Sequence, residues 1–190
     1  GKTILFELIA GIMPTTSGQI DIDRRNVMLY KPEDLIERVG YISTDGMIFR
    51  GTIRDNLTGF GQIPEDKMQE IASLLKIDRD IAKLPSGFNT LLSGNNTDNL
   101  PPGLKQRIAI VRVLAPRPRI ILFDNADRGL DREGYSLIYS MFARLKPKTS
   151  LIIISEDRNM RGLADRCMNL ENATLKETPI ARSTGFLAPQ

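Results

Sequence analysis

The sequence predicts a layered α/β fold with a mainly parallel central sheet, and three observations support this prediction. Continuous apolar runs at 120–123 and 151–154 are typical of strands that are buried on both faces in a parallel sheet. Helical patterns alternate with strand patterns along the chain. The stretch from about 64 to 114 is rich in helical patterns and predicts a helical subdomain.

The first part of the chain alternates helix and strand. An apolar helical pattern runs from the first residues to Ala10 and is closed by Gly11. Polar and apolar residues alternate over 19–23, as they do in a half-buried strand, and 39–43 predicts a second short strand. Residues 31–38, between these strands, predict a short helix.

The middle of the chain is predicted to be mainly helical. Apolar residues recur at helical spacing over 64–77, and acidic residues occupy the first turn of that helix, where they are favourable. Residues 78–84 predict a short helix, and helical periodicity returns over 104–114. The intervening stretch 87–99 is rich in Gly, Asn, Ser and Thr, which predicts a loop.

The last part of the chain again alternates strand and helix. The strand predicted over 120–124 ends in a carboxylate, and a helix is predicted over 131–145. A second buried strand is predicted over 151–154, followed by a short helix over 159–166. From Thr178 to the end, Pro, Ser, Thr and Gly predict a frayed tail.

The composition restricts the class of protein. A chain of 190 residues with 41% hydrophobic content can bury one substantial core. The net charge is +3 and the charges are interspersed, so we expect no nucleic-acid partner. The absence of histidine excludes Ser-His-Asp triads, and the single Cys167 cannot form an internal disulfide. The apolar runs are far shorter than the about 20 residues that cross a bilayer.

Two separate signals predict a site for a nucleoside triphosphate. Gly1-Lys2-Thr3 matches the end of the phosphate-binding loop G-x-x-x-x-G-K-[ST], although any helix could begin with these residues. Asp124 ends a buried strand, which is where nucleoside triphosphatases place the carboxylate that organises Mg²⁺. The sequence therefore predicts a P-loop NTPase fold in which Lys2, Thr3 and Asp124 organise phosphate and Mg²⁺, with Thr3 and Asp124 as ligands of Mg²⁺.

Four ordered blocks resemble the nucleotide-binding domain of ATP-binding-cassette (ABC) transporters. They are Gly1-Lys2-Thr3 with the following Leu-Ile-Ala-Gly and Thr-Ser-Gly-Gln-Ile, then 48–57, 100–112 and 120–131. The second block contains Phe-Arg-Gly-Thr-Ile-Arg-Asp-Asn and is similar to the exporter branch, which includes multidrug, peptide and type I secretion exporters. The resemblance implies that the nucleotide is ATP, and it implies one domain over 1–190 that dimerises beneath transmembrane domains, at the cytoplasmic face of a membrane.

The chain departs from the family's pattern at positions that carry the chemistry of hydrolysis. Thr44 replaces a glutamine, and its shorter side chain cannot reach both the metal and the attacking water. Asn125 replaces the catalytic glutamate, and an amide cannot take a proton from water. Glu156 replaces the histidine that senses the γ-phosphate, and a carboxylate repels a triphosphate.

The signature loop and a second loop are also altered. The family's Leu-Ser-Gly-Gly-Gln reads Leu-Pro-Pro-Gly-Leu over 100–104, so Pro101 and Pro102 lack N–H donors for a partner's γ-phosphate. Proline also suits the first turn of a helix, which is an alternative reason for one of them. The family's Ser-Ala-Leu-Asp reads Arg-Gly-Leu-Asp over 128–131. The resemblance assigns these residues to nucleotide binding: Gly1, Pro101, Pro102, Gly103, Leu104 and Asp131.

The sequence opens inside the phosphate-binding loop. The first five positions of that loop, the strand before it and the aromatic residue that stacks on adenine do not appear in the sequence. We therefore expect a fragment or a shortened start, with an unfilled place in the sheet. We also expect weak binding of ATP·Mg²⁺ by the chain alone, with a Kd of about 1 mM.

Three functions are compatible with these residues. The first is an exporter's nucleotide-binding domain with little or no ATP turnover. The second is a working transport ATPase in which other groups do the same work. The third is a soluble cassette protein of nucleic-acid maintenance or translation, which is disfavoured because the sequence has neither a long coiled-coil insertion nor a basic arm.

Overall fold

A computed structural model describes residues 1–94 and 100–179 and has the layered α/β fold that the sequence predicts. Its α-helices are α1 (Lys2–Ile9), α2 (Pro32–Arg38), α3 (Ile53–Thr58), α4 (Glu65–Leu74), α5 (Ile77–Ile81), α6 (Pro102–Leu114), α7 (Arg132–Leu145) and α8 (Arg158–Gly162). Its strands are β1 (Asp21–Ile22), β2 (Arg25–Asn26), β3 (Val39–Ile42), β4 (Gly51–Thr52), β5 (Leu91–Leu92), β6 (Ile120–Asp124), β7 (Ser150–Ile154), β8 (Cys167–Glu171) and β9 (Thr174–Thr178).

The central sheet has the strand order β3-β6-β7, and both pairings are parallel. Ile42 of β3 lies opposite Phe123, and Asp124 of β6 lies opposite Ile154 of β7. The carboxyl ends of the three strands therefore meet at one edge of the sheet. We call this edge, with the loops that follow the strands, the carboxyl edge.

Two hydrophobic cores lie on the two faces of the sheet. Side chains of a strand alternate between faces, so Ile121 and Phe123 belong to one core and Leu122 to the other. The ring of Phe123 packs edge-on against Phe142 of α7, with centroids 5.1 Å apart. On the opposite face, Leu122 shares a core with Phe6 of α1. The sheet thus forms the middle of three layers.

The strand over 151–154 is present, but the prediction that it is buried on both faces is wrong. Ile152 in β7 keeps 40% of its surface exposed, whereas Leu122 and Phe123 in β6 are fully buried. The physical reason is that β7 lies at the edge of the described sheet, whereas β6 lies in its centre. β6 has a neighbour on each side, and β7 pairs only with β6 among the described residues.

Helix α3 was not predicted from the sequence, although it carries a recognisable start signal. Thr52 and Asp55 form a capping box, in which each side chain bonds to the backbone N–H of the other residue. Gly59 ends the helix in the left-handed conformation, with φ of 56°. The helix has only six residues, which is too short for its apolar periodicity to stand out.

A pairing of two distant short strands and one hairpin were also missed. Leu91 and Leu92 pair with β4, so the predicted loop over 87–99 contains a strand, and residues 95–99 lie outside the described part. β8 and β9 pair through a turn at Asn172 and Ala173, both of which have positive φ. Thr178 is the last residue of β9, so the predicted tail does not begin there. Residues 180–190 of that tail lie outside the described range.

Several predicted elements are shorter in the structure. The strand over 19–23 is reduced to β1, which pairs with β2. The helix over 64–77 ends earlier because Lys76 adopts the left-handed conformation, with φ of 53°, and separates α4 from α5. Helix α5 ends at Ile81 and helix α8 at Gly162, before the predicted ends.

The helices in the middle of the chain pack around α6. Helices α3, α4 and α5 all contact α6, and α3 does so although it precedes the predicted boundary at residue 64. The division into a separate helical subdomain remains a prediction. Among the described residues, no helix is both long and apolar enough to span a bilayer.

Candidate functional site

Asp124 is the central polar residue of the carboxyl edge. Only 3% of its surface is exposed, and its carboxylate accepts hydrogen bonds from two neutral donors. The Tyr41 hydroxyl donates to Oδ2 at 3.3 Å, and the Asn125 side-chain amide donates to Oδ1 at 3.1 Å. Within residues 1–94 and 100–179, no lysine or arginine forms an ion pair with Asp124. Buried carboxylates are normally paired with a cation or bind a metal, so this one fits a metal ligand.

Tyr41 connects Asp124 to helix α1. Burial, followed by the nearby Asp124 carboxylate, raises the pKa of Tyr41 to about 12, so its hydroxyl stays protonated and can donate. Its ring packs edge-on against Phe6 of α1, with centroids 6.4 Å apart. Sequence reasoning missed Tyr41, since a tyrosine in a strand is more often a core residue.

Thr44 and Asn125 lie directly beside Asp124. The Thr44 hydroxyl donates to the Asp124 backbone oxygen at 2.8 Å, so its proton is already engaged. Asn125 adopts the left-handed conformation, with φ of 49°, which asparagine tolerates better than most residues. Its backbone N–H donates to the Ile154 oxygen at 2.8 Å, which fixes the loop after β6 to the end of β7.

Gly1, Lys2 and Thr3 form the start of α1. Gly1 is the N-cap, and the side chains of Lys2 and Thr3 are exposed with no hydrogen bond to the described residues. The first backbone N–H groups of a helix have no partner within it, and the helix dipole adds partial positive charge there. Helix α1 contacts β6, but no direct bond joins Lys2 or Thr3 to Asp124 in the described part of the chain. The arrangement is able to receive phosphate at this helix end.

The proline-containing segment begins helix α6. Pro101 is the N-cap and Pro102 is the first helical residue, so a place in the first turn of a helix is a sufficient reason for Pro102. The loss of an N–H donor to a partner's γ-phosphate stays a prediction. Gly103 packs tightly on Asp131, because a β-carbon on Gly103 would lie 3.0 Å from that carboxylate. The side chain of Leu104 is buried in the core, and its backbone N–H donates to the Pro101 oxygen at 3.0 Å.

Asp131 has a structural role in addition to the assigned one. Its carboxylate caps helix α7 by accepting from the Gly134 N–H at 2.7 Å. The Arg107 guanidinium lies 3.5 Å from the same carboxylate. Asp131 therefore joins the start of α7 to α6.

Gln106 and Arg107 were missed; Gln106 holds loops of the carboxyl edge, and Arg107 joins α6 to the neighbouring helices α4 and α5. Gln106 is buried and donates to the Ser43 oxygen at 3.0 Å. It also fills the space beside Gly46 and Gly129, where a β-carbon would lie 2.6 and 3.2 Å from it. The buried Arg107 donates to Leu75, Gly103 and Asp80. The signal in the sequence was the polar run Lys105-Gln106-Arg107 next to the apolar stretch of the same helix.

Glu156 does not stand alone in the loop after β7. Its carboxylate forms an ion pair of 2.8 Å with Arg128, in the loop after β6. The side chains are 83% and 57% exposed, respectively. Beside them, the Ser155 hydroxyl donates to Asp127 at 2.6 Å. The sequence predicted that the Glu156 carboxylate repels a triphosphate, and the structure gives this carboxylate a counter-ion.

The described residues offer few ligands of their own for a metal ion. They contain no group of three or more His, Cys, Asp or Glu side chains able to hold one. Asp124 and Thr3 are the predicted protein ligands. This sparse set suits Mg²⁺, which is usually bound by one or two carboxylates together with water and substrate phosphates.

Comparison with known proteins identifies the class to which this geometry belongs. A family model described as "ABC transporter" matches residues 1–128. The chain is 33% identical over 178 residues to the "Uncharacterized ABC transporter ATP-binding protein YfiB" of Bacillus subtilis (strain 168), covering 93% of this chain and 30% of that protein. It is 30% identical over 179 residues to the "Putative multidrug export ATP-binding/permease protein SAB1799c" of Staphylococcus aureus (strain bovine RF122 / ET3-1), covering 94% and 31%.

A solved structure supports the same class. The chain matches the "Structure of a bacterial Atm1-family ABC exporter with ATP bound" with a TM-score of 0.82 and 27% identity, over 93% of this chain and 31% of that one. The P-loop NTPase fold is therefore confirmed, and it is that of an ABC exporter's ATP-binding domain. The chain belongs to the ABC transporter family. It spans about a third of the length of the relatives that it matches.

The raised pKa of Tyr41 predicts a pH dependence of stability. The protonated phenol is favoured in the folded state, so the stabilisation is complete below the ordinary pKa of 10.0 and is lost as the pH rises towards about 12. Tyr41→Phe should therefore lose less stability than the wild type across this range. Urea unfolding at several pH values measures the difference.

Tyr30→Phe is the matched control for this measurement. The Tyr30 hydroxyl donates to the Ile22 backbone oxygen and does not contact Asp124. This variant should keep the wild-type fall in stability. An equal fall in the Tyr41→Phe and wild-type proteins would contradict the role of Tyr41.

Proposed function

We propose that this chain binds ATP·Mg²⁺ at the carboxyl edge and couples that binding to transport by an exporter, with little or no hydrolysis. The observation that carries the proposal is Asp124, a buried carboxylate whose partners are neutral. A divalent cation would supply the missing positive charge. Ligands of open α/β sheets also bind outside the carboxyl ends of the strands, where Asp124 lies.

The phosphates would be held by residues on two sides of Asp124. Lys2 and the first N–H groups of α1 would receive negative charge, and Thr3 would offer its hydroxyl to the metal. Asp124 would organise Mg²⁺, with its orientation fixed by Tyr41 and Asn125. The name of the solved exporter, which includes bound ATP, supports this choice of nucleotide.

Slow hydrolysis is proposed from the groups that flank Asp124. General-base catalysis needs a group able to take a proton from water, and the Asn125 amide cannot do so. Its N–H₂ group is instead turned towards Asp124. Thr44 is engaged with the Asp124 backbone, which leaves its proton unavailable for positioning water. These contacts support a domain that holds ATP longer than an efficient ATPase does.

An exposed apolar surface supports a membrane-domain partner. We define the 47–60 patch as Met47, Phe49 and Phe60, which are 60%, 42% and 54% exposed. The rings of Phe49 and Phe60 lie 6.3 Å apart. Exposed apolar clusters mark interaction sites. Similar proteins are named ATP-binding/permease proteins, so we propose that the membrane domain of an exporter covers this patch.

The patch is held in shape by two polar side chains, the buried Asn56 and the partly buried Arg112. Asn56 accepts from the Phe49 N–H at 2.7 Å and donates to the Phe49 and Thr52 oxygens. Arg112 lies over the Phe49 ring at 4.6 Å and donates to the Met47 oxygen. Burial lowers the pKa of Arg112 to about 10. Because these hydrogen bonds and the cation–π contact fix the 47–60 patch, the patch is suited to bind a partner protein in one defined arrangement.

A second nucleotide-binding domain completes the proposed assembly. The resemblance to ABC exporters implies that ATP lies between the phosphate loop of one domain and the signature loop of another. In this chain the signature position carries Pro101 and Pro102, which offer no N–H. Slow turnover would therefore extend to the site that this chain completes on its partner.

Removing the Asp124 carboxylate should abolish the effect of Mg²⁺ on ATP binding. Asp124→Ala should weaken ATP·Mg²⁺ binding by the full-length protein at least about tenfold, because the metal loses its protein carboxylate. Binding of ATP in the presence of a chelator should change little. Calorimetric titration with and without Mg²⁺ measures both quantities. Asp23→Asn, at an exposed carboxylate near the other ends of the strands, is the matched control.

Restoring the catalytic groups tests the proposal of slow hydrolysis. A general base contributes about 10²- to 10⁴-fold, so the full-length protein should release phosphate slowly. Asn125→Glu alone should recover little, since groups that act together are not additive. Asn125→Glu/Glu156→His should be faster than either single variant. Wild-type turnover at the ordinary rate of an ABC ATPase, unchanged in the double variant, would show that these positions do not limit hydrolysis.

Chemical labelling tests whether the 47–60 patch is covered. In a full-length Cys167→Ser background, Phe60→Cys should react slowly with a maleimide although Phe60 is 54% exposed in the chain. Leu175→Cys, at a side chain with 47% exposure on β9, should react faster. The two variants compare positions of similar exposure. Equal rates of labelling would mean that no membrane domain covers the patch.

A further inference from the structure

The loops after β6 and β7 are joined by two contacts between side chains. Arg128 pairs with Glu156 at 2.8 Å, and Ser155 donates to Asp127 at 2.6 Å. Both loops begin from neighbouring points, because Asp124 and Ile154 lie opposite each other in the sheet. The Arg128–Glu156 pair therefore belongs to the carboxyl edge, the same edge as Asp124.

The ion pair faces solvent. Arg128 keeps 57% and Glu156 83% of the side-chain surface exposed. Exposed ion pairs contribute little to folding stability, since water screens both charges. A stabilising role therefore does not explain the pair well. A guanidinium that remains open to solvent can still form hydrogen bonds with a ligand, because it has five N–H donors.

Arg128 pairs with one of several carboxylates at the carboxyl edge. Asp124 bonds with Tyr41 and Asn125, and Asp157 accepts a hydrogen bond from Tyr135. Asp127 accepts from Ser155 with one oxygen, and its other oxygen is buried with no partner in the described residues. These three carboxylates have no ion pair with a lysine or arginine within the described ranges. With Glu156 these make four carboxylates at the carboxyl edge, and among the described residues only Glu156 has an ion pair, with Arg128.

This charge balance matters for a ligand that carries its own negative charge. A terminal phosphate brought to these loops would meet repulsion from Glu156 unless a cation lies beside it. Arg128 supplies that cation, and guanidinium groups bind phosphate in a bidentate manner. Loss of Arg128 would leave Glu156 unbalanced. Loss of the Glu156 charge would leave Arg128 entirely available to phosphate.

We propose that Arg128 is a specificity-determining residue that favours nucleoside triphosphates over diphosphates, with Glu156 as its competing counter-ion. This inference rests on the proposed binding of nucleotide at Asp124. The γ-phosphate attracts Arg128 away from part of its contact with Glu156, and a diphosphate offers no such group. Glu156 and the γ-phosphate compete for the Arg128 guanidinium, and the outcome of this competition determines how strongly ATP is preferred over ADP.

The test compares ATP and ADP affinities, with Mg²⁺ present, in variants of the full-length protein. Arg128→Ala should weaken ATP about five- to tenfold and ADP much less, because the γ-phosphate then faces Glu156 alone. Glu156→Gln should strengthen ATP binding and raise the preference for ATP. The double variant should lie between the two single variants. Arg128→Lys should keep part of the preference, since it retains the charge but not the bidentate geometry.

Thermal unfolding of the same variants, without nucleotide, separates this role from a structural one. An exposed pair should change stability little, so Arg128→Ala and Glu156→Gln should melt close to the wild type. If both variants instead melt lower and weaken ATP and ADP equally, the pair is structural and the inference is overturned.

The result for Asp124→Ala distinguishes this inference from the proposed function. If ATP binding depends on Asp124 but the ratio of ATP to ADP affinity does not change when Arg128 or Glu156 is replaced, only the inference fails. If the wild type binds no ATP, or if Asp124→Ala binds it as the wild type does, the proposed site and the inference fail together.

Discussion

The buried carboxylate of Asp124 is the constraint on which the site depends. A charge in the interior is unfavourable unless it is compensated, and the hydrogen bonds from Tyr41 and Asn125 satisfy its oxygens without neutralising it. The chain thereby keeps a negative charge in a fixed orientation at the end of a rigid strand. Such an arrangement suits a ligand that brings its own cation, as ATP·Mg²⁺ does.

The parallel pairing of the strands brings other side chains close to Asp124, and together they form a site. Because β3, β6 and β7 end at the same edge, the loops that follow them meet around Asp124. Gln106 holds the loop after β3 through Ser43 and packs on the loop after β6 through Gly129. The Arg128–Glu156 pair joins the loops after β6 and β7. Substitutions in this region therefore act on neighbouring loops as a unit.

Sequence reasoning predicted the sheet and Asp124 because long buried strands carry a strong apolar signal. It missed α3, β2, β4 and β5, which are too short for periodicity, and it missed β8 and β9, whose mostly exposed side chains give no buried apolar pattern. For the candidate site, too, the sequence showed local signals and did not show contacts between distant residues. Asp124, Thr44, Asn125 and Glu156 were recognised one at a time from motifs, and the structure places all four at the carboxyl edge. The partners Tyr41, Gln106 and Arg128 appear only when the strands are aligned.

The central claim is that a nucleotide-bound divalent cation occupies the place beside Asp124. It is tested most directly by titrating isotope-labelled protein with ATP and Mn²⁺, which broadens the nuclear magnetic resonance signals of nearby atoms even when binding is weak. The account predicts early broadening of the amide signals of Thr44 and Asn125, at the carboxyl edge. The signals of Arg119 and Ser150, at the opposite ends of the same strands, should stay sharp. Equal broadening at both edges, or broadening that persists in Asp124→Ala, would contradict it.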